Sequence, residues 1–253
     1  MSDSIYFIAD VHLSPQLPER TRLFLSFLDI VKQRGGSLYI LGDLFDFWVG
    51  PKHATLHDHQ AALKKLQAIS RCGVKVMFLY GNRDFYFDSN IARKYGMEVL
   101  GDETVINDHG RRILLTHGDL FCTKDHSYRL CRRIFRSNLF RIIFKRLPVT
   151  WSYALARFYR HLSMHLVPRK HPTRRNITPE AVQAAFDSGM NLIICGHGHD
   201  QLSKDYTRNG KQQLPYMLGD WSDKGSYLEL KDAELTFQSV EKNDYHGDVE
   251  HGN

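Results

Sequence analysis

Thiol chemistry is scarce in this 253-residue chain: its four cysteines, Cys72, Cys122, Cys131 and Cys195, stand in unrelated contexts with no CxxC pair. That argues against a disulfide framework or a thiolate-bound zinc and fits free thiols in a reducing cytoplasm. Cys72 and Cys195 read as small buried apolar groups. Long apolar runs are missing too. No stretch approaches the roughly 18 consecutive apolar residues of a membrane span, so no helix is expected to cross a bilayer. No secretory leader is expected either, because Met1-Ser2-Asp3-Ser4 lacks a basic stretch and leads directly into a strand. The sharpest deficit is of acid. Residues 120–176 hold 14 Lys/Arg and a single acidic residue, Asp125, a net +13 in a chain whose total is only +6. So local an imbalance points to an anionic partner for one part of the molecule. Aromatics spaced among Lys/Arg on strands are absent, which makes single-stranded nucleic acid a poor match for that partner.

What remains is ordinary in composition, 42% hydrophobic and 25% charged, and long enough for one α/β domain carrying an insertion. Apolar strands are expected at Ile5 to Ile8, Leu38 to Leu41, Val74 to Tyr80 and Leu192 to Cys195. Between the first three lie helical stripes, Thr21 to Arg34, stopped by Gly35-Gly36, and Leu56 to Arg71. Strand, helix, strand, helix, strand is the pattern of a parallel sheet. A short helix is expected near Ser89 to Tyr95, and a hairpin pairs Thr104–Asn107 with Arg112–Thr116 through Asp108-His109-Gly110. In the basic segment, Tyr128 to Leu147 reads as an amphipathic helix with Arg129, Arg132, Arg133 and Arg136 opposite its apolar face, and Trp151 to Leu166 as a second helix. Thr178-Pro179 starts another, with Thr178 as cap. Short strands follow at 202–207, 214–218, 227–230 and 235–240, and the polar tail 241–253 is expected to be disordered. His53, His57 and His59 read as surface residues, and Trp151 and Trp221 as core or lid packing.

Five segments place polar, metal-binding side chains just past an apolar strand: Asp10 and His12, Asp43, Asn82, His117, and His197 with His199. In an extended chain Asp10 and His12 point to the same side, which delivers a carboxylate and an imidazole together to the strand's carboxyl end, where open α/β folds keep their sites. Asp-x-His alone is also what a strand ending in a solvated turn looks like. Five such endings, mostly beside a glycine that permits a tight turn, are hard to reach by chance. Imidazole, carboxylate and amide ligands with no thiolate suit Mn²⁺, Fe²⁺ or Zn²⁺. Seven side chains are too many for one ion and suit two ions about 3.5–4 Å apart that share a carboxylate and act on a phosphoryl group.

Asp10-x-His12, Gly42-Asp43, Gly81-Asn82-Arg83-Asp84, His117-Gly118-Asp119 and Gly196-His197-Gly198-His199 resemble the signature blocks of the calcineurin-like metallophosphoesterases. The resemblance implies a four-layer α/β/β/α sandwich with a dinuclear site, most simply of two Mn²⁺ ions. Asp10, His12, Asp43 and His199 would hold one metal and Asp43, Asn82, His117 and His197 the other, with Asp43 bridging. Tyr39 to Trp48, Gly81 to Phe85 and His117 to Asp125 further resemble the UDP-2,3-diacylglucosamine hydrolase family of lipid A synthesis. That implies cleavage of a lipid-linked sugar nucleotide at its pyrophosphate, giving UMP and 2,3-diacylglucosamine 1-phosphate. The catalytic residues would be Asp43, Asn82 and Arg83, with Asn82, Arg83 and Asp125 on the substrate. Arg83 stands where many relatives in the superfamily have a histidine. An arginine does not act as a general acid, so it would hold phosphate oxygens, which suits a leaving group that is itself a phosphate. The domain plan implied is a core of 1–119 and 177–240 with a basic helical lid at 120–176. That lid would receive acyl chains and approach the anionic inner membrane from the cytoplasmic side. The final block, Gly-His-Gly-His, departs from the more common Gly-His-Thr-His. Another phosphoester or nucleotide is the alternative substrate.

Overall fold

Four residues, Ile5–Ile8, form β1 at the centre of a six-stranded sheet, and their alternation already defines two layers. In the computed structural model, which describes residues 4–137, 177–198, 202–203, 206–208 and 211–241 with positions 140, 142, 151 and 154, Tyr6 and Ile8 face one apolar cluster and Phe7 and Ala9 another. Side chains on a strand alternate between faces, so a short run with no polar residue is the signature of a strand covered on both.

β2 (Ser37–Ile40), β3 (Lys75–Leu79) and β4 (Met97–Gly101) continue this sheet in parallel from β1. On its other side β11 (Gly225–Lys231) runs antiparallel to β1, and β12 (Glu234–Val240) antiparallel to β11. Helices α1 (Pro18–Arg34) and α2 (His57–Arg71) cover the outer face. Leu23, Phe24, Phe27 and Val31 of α1, with Leu63, Leu66 and Ile69 of α2, pack on Tyr6, Ile8, Ile40 and Phe78. Each such burial contributes about 1.5–3 kcal/mol. α1 stops at Arg34 as expected, capped by Gly35, whose N–H donates to Val31 O at 2.9 Å, and Gly36 follows with a left-handed φ of 101° and Ser4 O 2.0 Å from where a Cβ would stand.

The second sheet has the order β5-β6-β7-β10-β8. It comprises β5 (Glu103–Asp108), β6 (Arg111–Thr116), β7 (Leu192–Cys195), β8 (Leu202–Ser203) and β10 (Lys211–Met217), and β9 (Tyr206–Arg208) also pairs with β10. Its inner face, Ile113, Leu115, Leu192 and Ile194, meets Phe7, Ala9, Leu41 and Leu79. The outer face, Leu114 and Ile193, is covered by Val182 and Phe186 of a helix at Pro179–Asp187. The result is the expected four-layer α/β/β/α sandwich. Two further helices, α3 (Ser89–Lys94) and α4 (His126–Phe135), are capped by Asp88 and Asp125, and the helix at Pro179–Asp187 is α5.

Several expectations change. β4 is an added strand, and 202–207 divides into β8 and β9. Thr178 takes the N-cap position of α5 as expected, but its hydroxyl makes no capping bond; it donates to Phe121 O at 3.0 Å and pins the helix start to the loop after β6. Cys72 is exposed, whereas Cys195 is buried as expected. Trp221 is core, but Trp151 is 70% exposed. Arg132 and Arg136 face inward on α4 while Leu130 and Ile134 are exposed, because acidic partners lie beneath the helix. The rest of the expected lid helices, His199 and the tail beyond Glu241 lie outside the described residues. Among the described residues no helix is long and apolar enough to cross a membrane.

Candidate metal centre

Parallel pairing brings the strand ends together. Ile8 is in register with Ile40, and Ile40 with Phe78, so the loops bearing Asp10, Asp43 and Asn82 leave the first sheet side by side. Backbone bonds continue the alignment beyond the strands: His12 N donates to Asp43 O and Leu13 N to Leu44 O, both at 2.9 Å. In the second sheet Thr116 is in register with Cys195, and Gly196 N donates to His117 O at 3.0 Å.

Asp10 and His12 meet by a route other than strand alternation. Both have φ of 54°, in the left-handed region, as does Asp43, and His197 has 68°. Non-glycine residues rarely adopt this backbone, and where several do so together the surrounding fold is holding them for a purpose. Two glycines make the approach possible. A Cβ on Gly81 would stand 2.1 Å from Asp43 Oδ1, and one on Gly196 2.5 Å from Asp10 Oδ2. At these two positions the glycine supplies space, since neither has positive φ.

Asp10, His12 and Asp43 are buried and offer one ligand atom each, all within 4.8 Å of one another. His12 Nε2 lies 3.7 Å from Asp10 Oδ1, and His12 Nδ1 lies 3.8 Å from Asp43 Oδ2. The other oxygen of Asp43 is 3.8 Å from His117 Nε2. Asp43 therefore stands between the three-residue cluster and a second group, in which the Asn82 amide reaches His117 Nε2 at 3.3 Å and His197 Nδ1 at 3.0 Å. His117 Nδ1 donates to Leu41 O at 2.9 Å, which leaves Nε2 as the nitrogen facing Asp43 and Asn82. His197 N donates to Asp10 Oδ2 at 2.7 Å and so ties the last loop to the first.

The electrostatics ask for positive charge. Burial alone would push His117 down, but the carboxylates of Asp43, Asp10 and Asp119 outweigh it and raise its pKa to about 9. A buried site in which an imidazole is driven to hold a proton is one whose acids are matched to a cation, and the hard oxygen and imidazole donors fit a divalent ion. Beneath the site Asp84, 0% exposed, accepts backbone N–H bonds from Asp43, Leu44, Phe45 and Gly81, at 2.8–3.4 Å. Burial and the Asp43 charge raise its pKa to about 7 against the pull of those donors. Asp84 is a positioning residue that sequence reasoning passed over, although it closes the Gly81-Asn82-Arg83-Asp84 block.

Arg83 is one-third exposed at the rim. Its backbone N donates to Asp43 Oδ1 at 2.9 Å, its Nε lies 3.5 Å from Asp43 Oδ2, and its Nη1 is paired with Asp46. Asp125 caps α4, accepting from Tyr128 N at 2.9 Å. Asp119, also unassigned by sequence, accepts from the Tyr128 hydroxyl and from Arg132 Nε. Burial would raise its pKa, but His117, Arg132 and Tyr128 hold it below the usual carboxylate range. His53 and His59 are not surface residues: they are 1% and 2% exposed, in an aromatic nest with Phe45 and Trp48.

A family model described as calcineurin-like phosphoesterase matches residues 4–201. The chain belongs to the calcineurin-like phosphoesterase family. Among the relatives of this phosphoesterase are proteins named UDP-2,3-diacylglucosamine hydrolase. That of Aeromonas salmonicida (strain A449) is 38% identical, with 91% of each chain covered. That of Pseudomonas paraeruginosa (strain DSM 24068 / PA7) is 35% identical, covering 90% of this chain and 95% of the relative. The one from Serratia proteamaculans (strain 568) is 35% identical, covering 88% and 93%. With the Asp10, His12 and Asp43 cluster, family membership makes this phosphoesterase a metal-dependent hydrolase.

Proposed function

We propose that the chain hydrolyses the pyrophosphate of UDP-2,3-diacylglucosamine, giving UMP and 2,3-diacylglucosamine 1-phosphate. The observation that carries the reading is the 38% identity over 91% of both chains to a protein named for that substrate. The arrangement of the site supports it. In this reading two Mn²⁺ ions are held, one by Asp10, His12, Asp43 and His199, the other by Asp43, Asn82, His117 and His197, with Asp43 shared. Ions so held supply charge to phosphoryl oxygens and lower the pKa of an attacking water.

The chain's own residues do the rest. Arg83 binds phosphoryl oxygens and balances the charge that grows on them, with Asp46 and Asp43 fixing its fork. Asn82 orients the same group from beside His117. A new bond joins the water oxygen to one phosphorus as the bridging P–O bond breaks, and the departing phosphate needs no proton from Arg83. Asp125 and residues 120–176 form the substrate side: a basic helical lid over the acyl chains that rests on the anionic cytoplasmic leaflet of the inner membrane. A related phosphoester or nucleotide remains the alternative substrate. Purified protein with Mn²⁺ is expected to release UMP from UDP-2,3-diacylglucosamine and much less from its deacylated form. Equal turnover of the two compounds would remove the acyl-binding lid from the reading, and no turnover above an Asp43→Ala control would remove the substrate.

A further inference from the structure

The two sheets of the sandwich each hold part of the site, and Asn82, on a loop of the first, reaches His117 and His197 of the second. Something must fix the spacing between those loops. Helix α4 touches both. At its start the Tyr128 hydroxyl and Arg132 Nε donate to Asp119, two residues beyond His117. At its end Arg136 Nη2 donates to Gly81 O at 3.3 Å, and its guanidinium lies over the rings of Tyr80 and Phe85, 6.0 and 5.4 Å from their centroids. The Tyr86 hydroxyl donates to Phe135 O. The helix end thus grips the loop at Tyr80, Gly81, Phe85 and Tyr86, on both sides of Asn82 and Arg83.

Asp102 anchors this grip. It lies between β4 and β5, where the chain passes from the first sheet to the second. One carboxylate oxygen pairs with Arg136 Nη1 and the other with Arg132 Nη2, the latter at 3.1 Å. A planar guanidinium reaches a carboxylate and a carbonyl at once while stacking on rings, which an ammonium does not do. We propose that Arg136, held by Asp102, is a positioning residue. It sets the loop of Asn82 and Arg83 against that of His117 and thereby the place where both side chains meet the phosphoryl group. The inference rests on the reading of Asn82 and Arg83 as phosphoryl contacts.

The test compares Arg136→Ala, Arg136→Lys and Asp102→Asn with Arg22→Ala, which removes an arginine paired with Glu19 on the exposed face of α1. UMP release from UDP-2,3-diacylglucosamine with Mn²⁺ and amide hydrogen exchange over residues 80–87 are both measured. In Arg136→Ala, kcat is expected to fall roughly 10–100-fold while KM stays within about threefold, as for a displaced reacting group. Exchange over 80–87 quickens. Arg136→Lys recovers part of the loss. Asp102→Asn shows the same pattern more weakly and, being nearly isosteric, is informative even where Arg136→Ala folds poorly. Arg22→Ala changes neither readout. Faster exchange with unaltered kcat would reduce the contact to a structural one and overturn the proposal, and unaltered exchange would overturn the grip itself. If the unmodified protein releases no UMP, the substrate reading fails separately and exchange over 80–87 still decides the grip.

Discussion

His117, among the acids of the site, and His59, beneath the loop that follows Asp43, are both almost fully buried, 0% and 2% exposed. Burial alone pushes any imidazole toward its neutral form. At His59 burial prevails, with help from nearby His53, and the pKa falls to about 4 although His53 O and Leu13 O face its two ring nitrogens at 3.1 and 3.3 Å. At His117 the three surrounding carboxylates reverse the sign and lift it to about 9. Equal burial with opposite outcomes shows that the carboxylates around an imidazole, and not its burial alone, decide which form it takes. His59 stacks on Trp48 and packs against Phe45, and so supports the Asp43 loop from below.

The largest effect should come from removing the acid that His117 faces. Asp43→Asn keeps the shape of the side chain and halves its ligand character. UMP release is expected to fall by about a thousandfold or more, equivalent to roughly 4 kcal/mol of transition-state stabilisation. Bound Mn²⁺, measured by elemental analysis after dialysis, should fall with it. Retained metal with retained activity would mean that Asp43 is not the shared ligand.

Next comes the pH dependence of His117 in protein stripped of divalent metal. Its folded pKa lies above the unfolded 6.5, so its contribution is complete below about 6.5 and is lost as pH rises through about 9. The full span is on the order of 3 kcal/mol, read as a falling urea midpoint from pH 6.5 to 9 that His117→Gln abolishes. A flat profile in the parent protein would remove the acid-rich surroundings from the comparison.

The sequence told these histidines apart only in part. His117 was legible because Ile113–Thr116 is an apolar strand that ends in His-Gly-Asp, and the same logic found Asp10, Asp43, Asn82 and His197. His53 and His59 sit among Pro51, Lys52, Thr55, His57 and Asp58, a polar neighbourhood that says nothing of the aromatic nest formed by distant packing. Long-range pairing hid the rest. That β1 takes β11 as its antiparallel neighbour, matching Phe7 with Leu228, depends on contacts no local pattern contains. The inward turn of Arg132 and Arg136 depends likewise on Asp102 and Asp119, which belong to other elements. The left-handed backbone at Asp10, His12 and Asp43 is only weakly marked in side-chain type, since Asp and His enter that region more often than other non-glycine residues but most of them do not.

His59 should produce the opposite slope to His117, and a smaller one near neutrality. Its folded pKa lies below 6.5, so the unfolded chain binds the extra proton and stability is lost as pH falls from about 6.5 toward 4. At pH 5 the loss is about 2 kcal/mol. Thermal midpoints between pH 7 and 5 should fall in the parent protein and flatten in His59→Phe, which keeps the ring contact with Trp48. An unchanged slope in that variant would show that His59 is not the group taking up the proton.

The smallest effect belongs to His53. Burial lowers its pKa, while a contact from Nδ1 to Phe47 O at 3.3 Å pulls the other way. It shares the nest with His59, ring centroids 6.3 Å apart, and each proton taken up by one disfavours a proton on the other. His53→Gln should therefore do two things at once. It removes the smaller share of the acid-side slope, and it lets His59 titrate at higher pH because a neighbouring imidazole is gone. Imidazole NMR resonances followed from pH 7 to 4 would read the second effect directly. A His59 titration unmoved by His53→Gln would mean that desolvation alone sets its pKa, and the contrast with His117 would then rest on carboxylates present in one place and on burial alone in the other.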